Sequence, residues 1–235
     1  MTEEVKKEVK ELIDQYKLDC SIEEFKNKAN WEKISHYDFL SEDFIREFQD
    51  EVHWEYLCFY QLLPEDFIRE FKDEVHWDNV FICQKISENF IREFKDKASW
   101  REISYYQELS ENFIREFKDE VNWNNICQKQ KLSENFIREF QDRVNWHWTP
   151  FYQTLSEDFI REFQDKVDWV AVSFCQVLSE DFIRDFRDKI SLGYLSSNQK
   201  INVSEEFRKG IKNGKILPPP IKPFSFGNRV EMLDL

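Results

Sequence analysis

The sequence predicts an all-α fold, a right-handed or similar α-solenoid of about eight short helical hairpins, because one unit is repeated along it. Tryptophan recurs every 23 residues, and a pair of phenylalanines four residues apart keeps the same period. Apolar residues never alternate with the period of two that a β-strand requires. Glycine is absent before Gly193, so turns inside the array must be built from capped helix ends rather than left-handed glycines.

The first helix of each hairpin is represented by Leu40–Trp54, LSEDFIREFQDEVHW. Ser41 is a preferred N-cap, and the acidic residues after it favour the positive end of the helix dipole. At about 100° per residue, Phe44, Ile45 and Phe48 share one face, so we expect this face to form the core. The predicted structural core consists of the aromatic residues at the repeated phases: Phe44, Phe48, Trp54, Phe67, Phe71, Trp77, Phe90, Phe94, Trp100, Phe113, Phe117, Trp123, Phe136, Phe140, Trp146, Phe159, Phe163 and Trp169.

The second helix of each hairpin is predicted to begin at the tryptophan. The preceding residue is in most hairpins an N-cap type, and one such helix then runs from Trp54 to about Gln61. The Arg-Glu dipeptide of the first helix, as at Arg46, is placed to form ion pairs between neighbouring hairpins. The alternative is that these charges form only a solvated surface.

The periodicity predicts four segments. Residues 1–17 are expected to form a capping helix, since Val5, Val9 and Leu12 share one face of it. Residues 18–193 are the repeat array, which Gly193 is expected to end as a helix C-cap. Residues 194–214 are a degenerate carboxy-terminal cap, because Val203–Phe207 resembles the start of a first helix. Residues 215–235 are predicted to form an extended, proline-rich tail.

The charge of the chain favours some partners over others. The net charge of −14 argues against binding to nucleic acid, which needs Lys and Arg to displace counterions from phosphates. A protein partner is expected, and a basic one is compatible with this charge; the alternative is that the acidic surface serves only to keep the protein soluble. No apolar run reaches the ~20 residues that span a bilayer, and residues 1–15 are too charged for a secretory signal. We therefore expect an intracellular protein that is neither secreted nor bound to a membrane.

Catalytic, cofactor-binding and metal-ligating residues are not predicted at any position. Paired carboxylates recur in every hairpin, whereas a catalytic pair should be singular. His53 and His76 share a phase and could face each other, but they stand at N-cap positions and are interpreted as structural. The five cysteines form no metal-binding pattern and are expected to be buried free thiols. The chain is therefore expected not to be an enzyme and to need no cofactor.

The repeated motif resembles a known group of proteins. The stretch Leu155–Trp169, LSEDFIREFQDKVDW, with Tyr152 and Gln153 before it, is similar to the short helical repeats of mimivirus-like giant DNA viruses. The resemblance covers about residues 18–192. It implies an all-helical repeat protein made in an infected cell, located in the host cytoplasm or the virion.

Candidate partner-binding residues lie where the chain departs from the repeat. In one hairpin, Pro150 would fall inside the second helix, so we expect that helix to begin late, with Thr149 as its cap. Trp148, Pro150 and Phe151 are then candidate contacts for a partner. The tail supplies the other candidates: Pro218, Pro219, Pro220, Phe224 and Phe226.

Two functions remain open from the sequence. The favoured interpretation is a non-catalytic protein-interaction scaffold. The alternative is a structural or self-assembling protein associated with the virion, in which copies bind each other.

Overall fold

The computed structural model describes residues 1–37 and 39–215 of the chain. The chain divides into two compact units, Met1–Leu132 and Ser133–Leu235. Regular structure is helical throughout the described residues, where β pairing is limited to one isolated bridge between Ser179 and Asn202. The prediction of an all-α repeat fold is therefore confirmed.

The first compact unit contains eleven α-helices among its described residues. They are α1 (Glu3–Tyr16), α2 (Phe25–Lys28), α3 (Trp31–Tyr37), α4 (Glu42–Glu47), α5 (Trp54–Tyr60), α6 (Glu65–Glu70), α7 (Trp77–Cys83), α8 (Glu88–Glu93), α9 (Trp100–Tyr106), α10 (Glu111–Glu116) and α11 (Trp123–Lys129). A short 3₁₀ helix, Lys95–Lys97, follows α8. From α3 onward, second helices that begin at a tryptophan alternate with six-residue first helices, and consecutive second helices pack side by side.

The second compact unit continues the same alternation. Its described helices are α12 (Glu134–Glu139), α13 (Thr149–Tyr152), α14 (Glu157–Glu162), α15 (Trp169–Cys175), α16 (Glu180–Asp185), α17 (Leu192–Ser197) and α18 (Glu205–Lys212). Here α13 packs against α15, and α15 packs against α17. Ser204 caps α18 by accepting the backbone N–H of Phe207, as the serines of the array do.

Serine caps set the start of the first helices. The hydroxyl of Ser41 accepts the backbone N–H of Phe44 at 3.1 Å, and the same bond recurs in six further first helices. Pro64 stands at the N-cap position of α6, where no side chain accepts a hydrogen bond. Phe44 and Ile45 are fully buried, as expected from their helical phase.

Each tryptophan joins its own hairpin to the next. In the described hydrogen bonds its indole N–H donates five residues back, as from Trp54 to the carbonyl of Gln49 at 3.1 Å. Its ring lies on the second phenylalanine of the following hairpin, with centroids 4.9 Å apart for Trp54 and Phe71 and 4.7 Å for Trp77 and Phe94. The tryptophans are half-buried, because one edge of each ring reaches solvent.

A row of buried glutamines ties neighbouring hairpins together. Each ends a second helix as its C-cap, and its side chain reaches back to the preceding hairpin. Gln84 donates to the carbonyls of Cys58 and Gln61, both at 2.7 Å, and accepts the backbone N–H of Leu63 at 2.8 Å. Gln130 and Gln176 make the corresponding three bonds in their respective units. The amide thus satisfies backbone groups that the turns between helices leave buried.

A row of arginines runs along the first helices. Arg69 pairs with Glu65 and Asp66 of its own helix, and at 2.7 Å with Glu93 of the next first helix. Its guanidinium also lies 5.0 Å from the centroid of the Phe90 ring. Equivalent pairs between hairpins involve Arg46, Arg92, Arg138 and Arg161. The structure therefore contains the predicted ion pairs between hairpins, stacked on the aromatic core.

The first carboxylate of each first helix holds the next serine cap. Glu88 accepts the backbone N–H of Ser110 at 2.7 Å, and Glu134 accepts that of Ser156 at 2.6 Å. At the start of the array this role falls to α1, where Glu8 accepts both the N–H and the hydroxyl of Ser41. Val5, Val9 and Leu12 form the buried face of α1, which is the predicted capping helix.

Gly193 does not end the array, contrary to expectation. It is the second residue of α17, whose start at Leu192 matches the tryptophan phase of earlier hairpins. The phase of the array thus outweighs the local tendency of glycine to terminate a helix. Asn198 then takes the glutamine role, donating to the carbonyls of Ser173 and Gln176. The left-handed positions in the described residues are Lys17 and Gly214, which follow α1 and α18.

Candidate interaction surfaces

The outward face of the second helices carries the variation between hairpins. In α15, Ala171 and Val172 are fully buried, whereas Val170 and Phe174 are exposed. The equivalent outward positions in α11 are Asn124 and Gln128, which are polar. The packing positions are therefore uniform, whereas the outward face of the second helices differs from helix to helix.

A first group of exposed apolar residues lies near the start of the array. This amino-terminal cluster consists of Phe39, Phe59, Tyr60 and Leu62, and Phe39 and Leu62 are 88% and 76% exposed. The rings of Phe59 and Tyr60 pack edge to face at 4.7 Å. The two most exposed members flank one linkage, in which Gln61 accepts the N–H of Leu40 at 3.0 Å. The backbone of the cluster is thus held by the glutamine row.

Carboxylates surround the amino-terminal cluster. A shallow groove beside Phe39 is lined by residues of α1, including Glu4, Glu8 and Glu11 with Lys7 as the single cation. On α5, the hydroxyl of Tyr56 lies 3.3 Å from Glu32, and this carboxylate raises the pKa of Tyr56. The result is an apolar surface with a predominantly acidic border.

A second group of exposed apolar residues lies in the second compact unit. This apolar strip consists of Tyr152, Val170, Phe174, Val177 and Tyr194, each between 40% and 53% exposed. Val170, Phe174 and Val177 follow helical spacing along α15 and the turn after it. The ring of Tyr194 on α17 lies 6.2 Å from that of Phe174, so the strip continues across neighbouring helices.

The helices that carry the apolar strip contain no charged residue. The sequences of α13, α15 and α17 are TPFY, WVAVSFC and LGYLSS. In contrast, each second helix of the first compact unit carries at least one charge, such as Glu55 on α5 or Lys129 on α11. The strip is therefore an uncharged surface on a strongly acidic chain.

The predicted site around Trp148 lies next to this strip. The helix there begins late, as expected, but at Thr149 rather than Pro150. Thr149 is not its cap, because the side chain of Asn145 accepts the N–H groups of His147 and Trp148 instead. Pro150 is buried, whereas Trp148 is half-buried against neighbouring rings. Of the three candidates in this hairpin, Trp148 and the half-buried Phe151 can contribute surface.

A histidine–aspartate pair supports the same region. Nδ1 of His147 lies 2.6 Å from Oδ2 of Asp168, the N-cap of α15. Burial alone would raise the pKa of Asp168, but hydrogen bonds from His147 and from the N–H groups of Ala171 and Val170 lower it overall. Because this carboxylate already caps a helix, we interpret the pair as structural.

The remaining candidates from the sequence lie in two places. Pro218, Pro219, Pro220, Phe224 and Phe226 lie outside the described residues. His53 and His76 are exposed, and His53 packs its ring 5.9 Å from Tyr56 rather than against His76. Within the described ranges, no group of three or more His, Cys, Asp or Glu side chains could hold a metal ion.

The five cysteines are free thiols, and two of them are fully buried. Burial raises the pKa of Cys58 to about 11, although a backbone hydrogen bond from His76 opposes this. Cys127 is also buried, whereas Cys20, Cys83 and Cys175 are only partly buried. The expectation of buried thiols therefore holds for two of the five.

Neither the glutamine row nor the apolar strip was predicted from the sequence. Glutamine recurs with the tryptophan period at Gln61, Gln84, Gln107, Gln130, Gln153 and Gln176, and this invariance was the available signal. For the strip, the signals were the spacing of Val170, Phe174 and Val177 and the lack of charge on three successive second helices.

These features define the class of the protein, an all-α tandem-repeat protein of the solenoid type with 23-residue helical hairpins. None of the described helices is long and apolar enough to cross a membrane. No protein-family model matches the sequence, and comparisons with curated proteins and with solved structures gave no match either.

Proposed function

We propose that the protein is a non-catalytic interaction scaffold whose amino-terminal cluster binds a basic protein. One observation carries the proposal, namely that Phe39 and Leu62 are largely exposed and that Phe39 lines a groove bordered by carboxylates. A binding partner would cover apolar surface whose exposure to water is unfavourable by about 25 cal/mol per Å². The feature therefore suits association better than an isolated soluble surface.

The charged residues that border the cluster indicate which chemical groups a partner should carry. Glu4, Glu8 and Glu11 attract Lys or Arg, and an arginine guanidinium can also stack on an exposed ring such as Phe39. The fold itself uses the same combination, since Arg69 lies between Glu93 and the ring of Phe90. A segment that alternates basic and apolar residues would match both parts of the surface.

The repeat array supplies a fixed frame for this surface. No buried side-chain nitrogen or oxygen among the described residues lacks a hydrogen-bond partner. The repeated carboxylates serve as structural acceptors, as when Glu65 accepts the N–H of Ser87. This engagement supports a scaffold over an enzyme, because these carboxylates form identical pairs in successive hairpins. On the motif resemblance alone, we place the protein in the host cytoplasm or the virion.

The test is affinity capture from an extract of infected host cells, with the protein and two variants as baits. Leu62→Lys adds a positive charge within the cluster, which opposes a basic partner, whereas Thr154→Lys adds the same charge at the same repeat phase elsewhere. We expect basic proteins to be captured by the wild type and by Thr154→Lys, and to be lost with Leu62→Lys or when salt screens the charges. Circular dichroism confirms that each variant is folded.

Direct titration of a captured protein, once purified, then completes the test. The dissociation constant should increase at least about tenfold with Leu62→Lys, a change of ~1.4 kcal/mol. Capture of the same proteins by Leu62→Lys as by wild type, or capture that salt does not affect, would contradict the proposal.

A further inference from the structure

We infer that the apolar strip of the second compact unit is where a second copy of this chain binds, giving a closed two-fold dimer. The inference is independent of the basic partner proposed above, since it rests on different residues in the other compact unit. It starts from the exposed side chains of Val170 and Phe174 on α15 and of Val177 just after it, which Tyr194 of α17 extends sideways.

Charge indicates which occupant fits the strip. Two copies of a chain with a net charge of −14 repel each other wherever carboxylates face carboxylates. The helices α13, α15 and α17 carry no charge, so two strips can meet without placing like charges in contact. A basic partner would find no carboxylate on these helices, whereas it would find several beside Phe39.

The shape of the strip suits a symmetric pair. A two-fold interface brings the same patch of both copies together, so a patch must be complementary to itself. Aromatic and aliphatic side chains meet this requirement because their attraction is not directional. The rings of Tyr152, Phe174 and Tyr194 supply most of the exposed surface, and Val170 on α15 and Val177 just after it add aliphatic surface.

The size of the strip predicts how strong the dimer is. A fully buried aromatic side chain covers about 150–250 Å², so half-exposed side chains on this strip offer on the order of 400–500 Å² per copy. Two copies would then bury on the order of 1,000 Å², at the lower end for a specific interface. The dimer is therefore expected to be reversible, with dissociation in the micromolar range, rather than permanent.

The two-fold geometry also limits the assembly to two copies. Extension of the array at its amino-terminal end is blocked by α1, where Glu8 already occupies the N–H and hydroxyl of Ser41. Because a two-fold contact uses the strip of each copy once, it leaves no strip free for a third. The inference is thus a closed pair and not a filament.

The test is sedimentation equilibrium of the purified full chain over about 1–500 μM, a range that spans the expected affinity. The mass should increase with concentration from 28.9 kDa to twice this value. Added salt should leave the dimer unchanged or strengthen it, because salt screens the repulsion between copies and not the apolar contact. A single mass of 28.9 kDa throughout would overturn the inference.

Matched variants assign the interface. Phe174→Asp places a charge in the strip of both copies and should weaken the dimer at least about tenfold. Gln128→Asp adds the same charge at the same repeat phase on α11 and should not. Val177→Gln, which adds no charge, should weaken the dimer as well and serves if Phe174→Asp fails to fold. Dimers of unchanged strength in the folded strip variants would also overturn the inference.

The two proposals fail separately. Dimerisation is measured on purified protein without any partner, and capture of a basic protein depends on Leu62 in the other compact unit. A dimer that survives Leu62→Lys, together with capture that survives Phe174→Asp, would assign one surface to each role.

Discussion

At the scale of single residues, the glutamine that repeats without change uses both groups of its side-chain amide in hydrogen bonds. Gln84 is buried, and its amide makes three hydrogen bonds to backbone groups between Cys58 and Leu63, where one hairpin ends and the next begins. A residue of similar size without an amide would fill the space but leave these backbone groups without a partner. The invariance of glutamine at this phase is therefore explained by hydrogen bonding rather than by volume.

Gln84→Leu should lower the free energy of unfolding by roughly 2–5 kcal/mol, because an unsatisfied buried polar group costs about 1–3 kcal/mol. Denaturant unfolding followed by circular dichroism measures this change. Gln128→Leu is the control, since Gln128 is only half-buried and lies outside the glutamine row. An equal loss of stability in both variants would show that the amide is not what matters at Gln84.

The sequence was sufficient to place the buried apolar residues, the serine caps and the arginine pairs, but not the glutamine row or the apolar strip. Phe44 and Ile45 are buried as their helical phase requires. The role of glutamine was missed because its three partners are backbone groups about one period away, which no local pattern reveals. The role of Thr149 was also predicted wrongly, because its hydroxyl donates to the carbonyl of Asn145 instead of capping a helix.

At the scale of helices, the elements are too short to be stable alone. Isolated helices below about 12–15 residues are marginal in water, and the first helices of the array have six. Their stability must come from caps and from the neighbouring hairpin. The bond from Glu134 to Ser156 illustrates this, because one hairpin positions the residue that caps the helix of the next.

Ser156→Ala removes the hydroxyl that accepts the N–H of Phe159 and should cost about 1 kcal/mol of stability. Pro64→Ala is the matched control at the same phase, where no side-chain cap exists, and should change stability less. Both effects are read from the midpoint of denaturant unfolding. A cost at Pro64 that equals the cost at Ser156 would contradict the role of the cap.

A pH dependence follows from the carboxylate that holds the last cap. Hydrogen bonds from the hydroxyl and the N–H of Ser204, with Arg184 nearby, lower the pKa of Glu180. Since its pKa is lower in the folded than in the unfolded chain, its contribution is present above the usual glutamate pKa and lost as pH falls through the folded value.

Glu180→Gln should therefore be less stable than wild type near neutral pH, with a difference that narrows as the solution is acidified. Urea unfolding across this pH range measures the difference. Asp181→Asn is the control on the same helix, because its carboxylate is 92% exposed, and it should show little dependence. A Glu180→Gln difference that stays constant with pH would rule out this linkage.

Cap types before the tryptophan were a less reliable signal than the phase of the array. Asn122 and Asp168 cap their helices through side-chain bonds, whereas His53, His76 and Ser99 do not. All five helices still begin at the tryptophan. The prediction that Gly193 ends the array was wrong because the phase of the array outweighs the local tendency of glycine to end a helix.

At the scale of the whole molecule, the residues that pack the hairpins together are different from the surface residues that vary between hairpins. Phenylalanine, isoleucine, arginine and glutamine rows repeat in both compact units, while the second helices change from charged in the first unit to uncharged in α13, α15 and α17. The repeat period could be read from the sequence because it is a regular spacing along the chain. The two surfaces were not, since their exposure depends on which side of each short helix faces solvent.

The most direct test of the account is removal of one whole repeat, residues 88–110, which joins Ser87 to Glu111 and keeps every row in phase. The comparison variant lacks residues 88–99, so that Ser87 meets Trp100 and a first helix is lost. The measurement is thermal unfolding followed by circular dichroism at 222 nm, a helix band. We expect the whole-repeat variant to keep its helical signal per residue and unfold cooperatively, and the comparison variant to lose both. A whole-repeat variant that is unfolded, or two variants that behave alike, would contradict the claim that the 23-residue hairpin is the unit of packing.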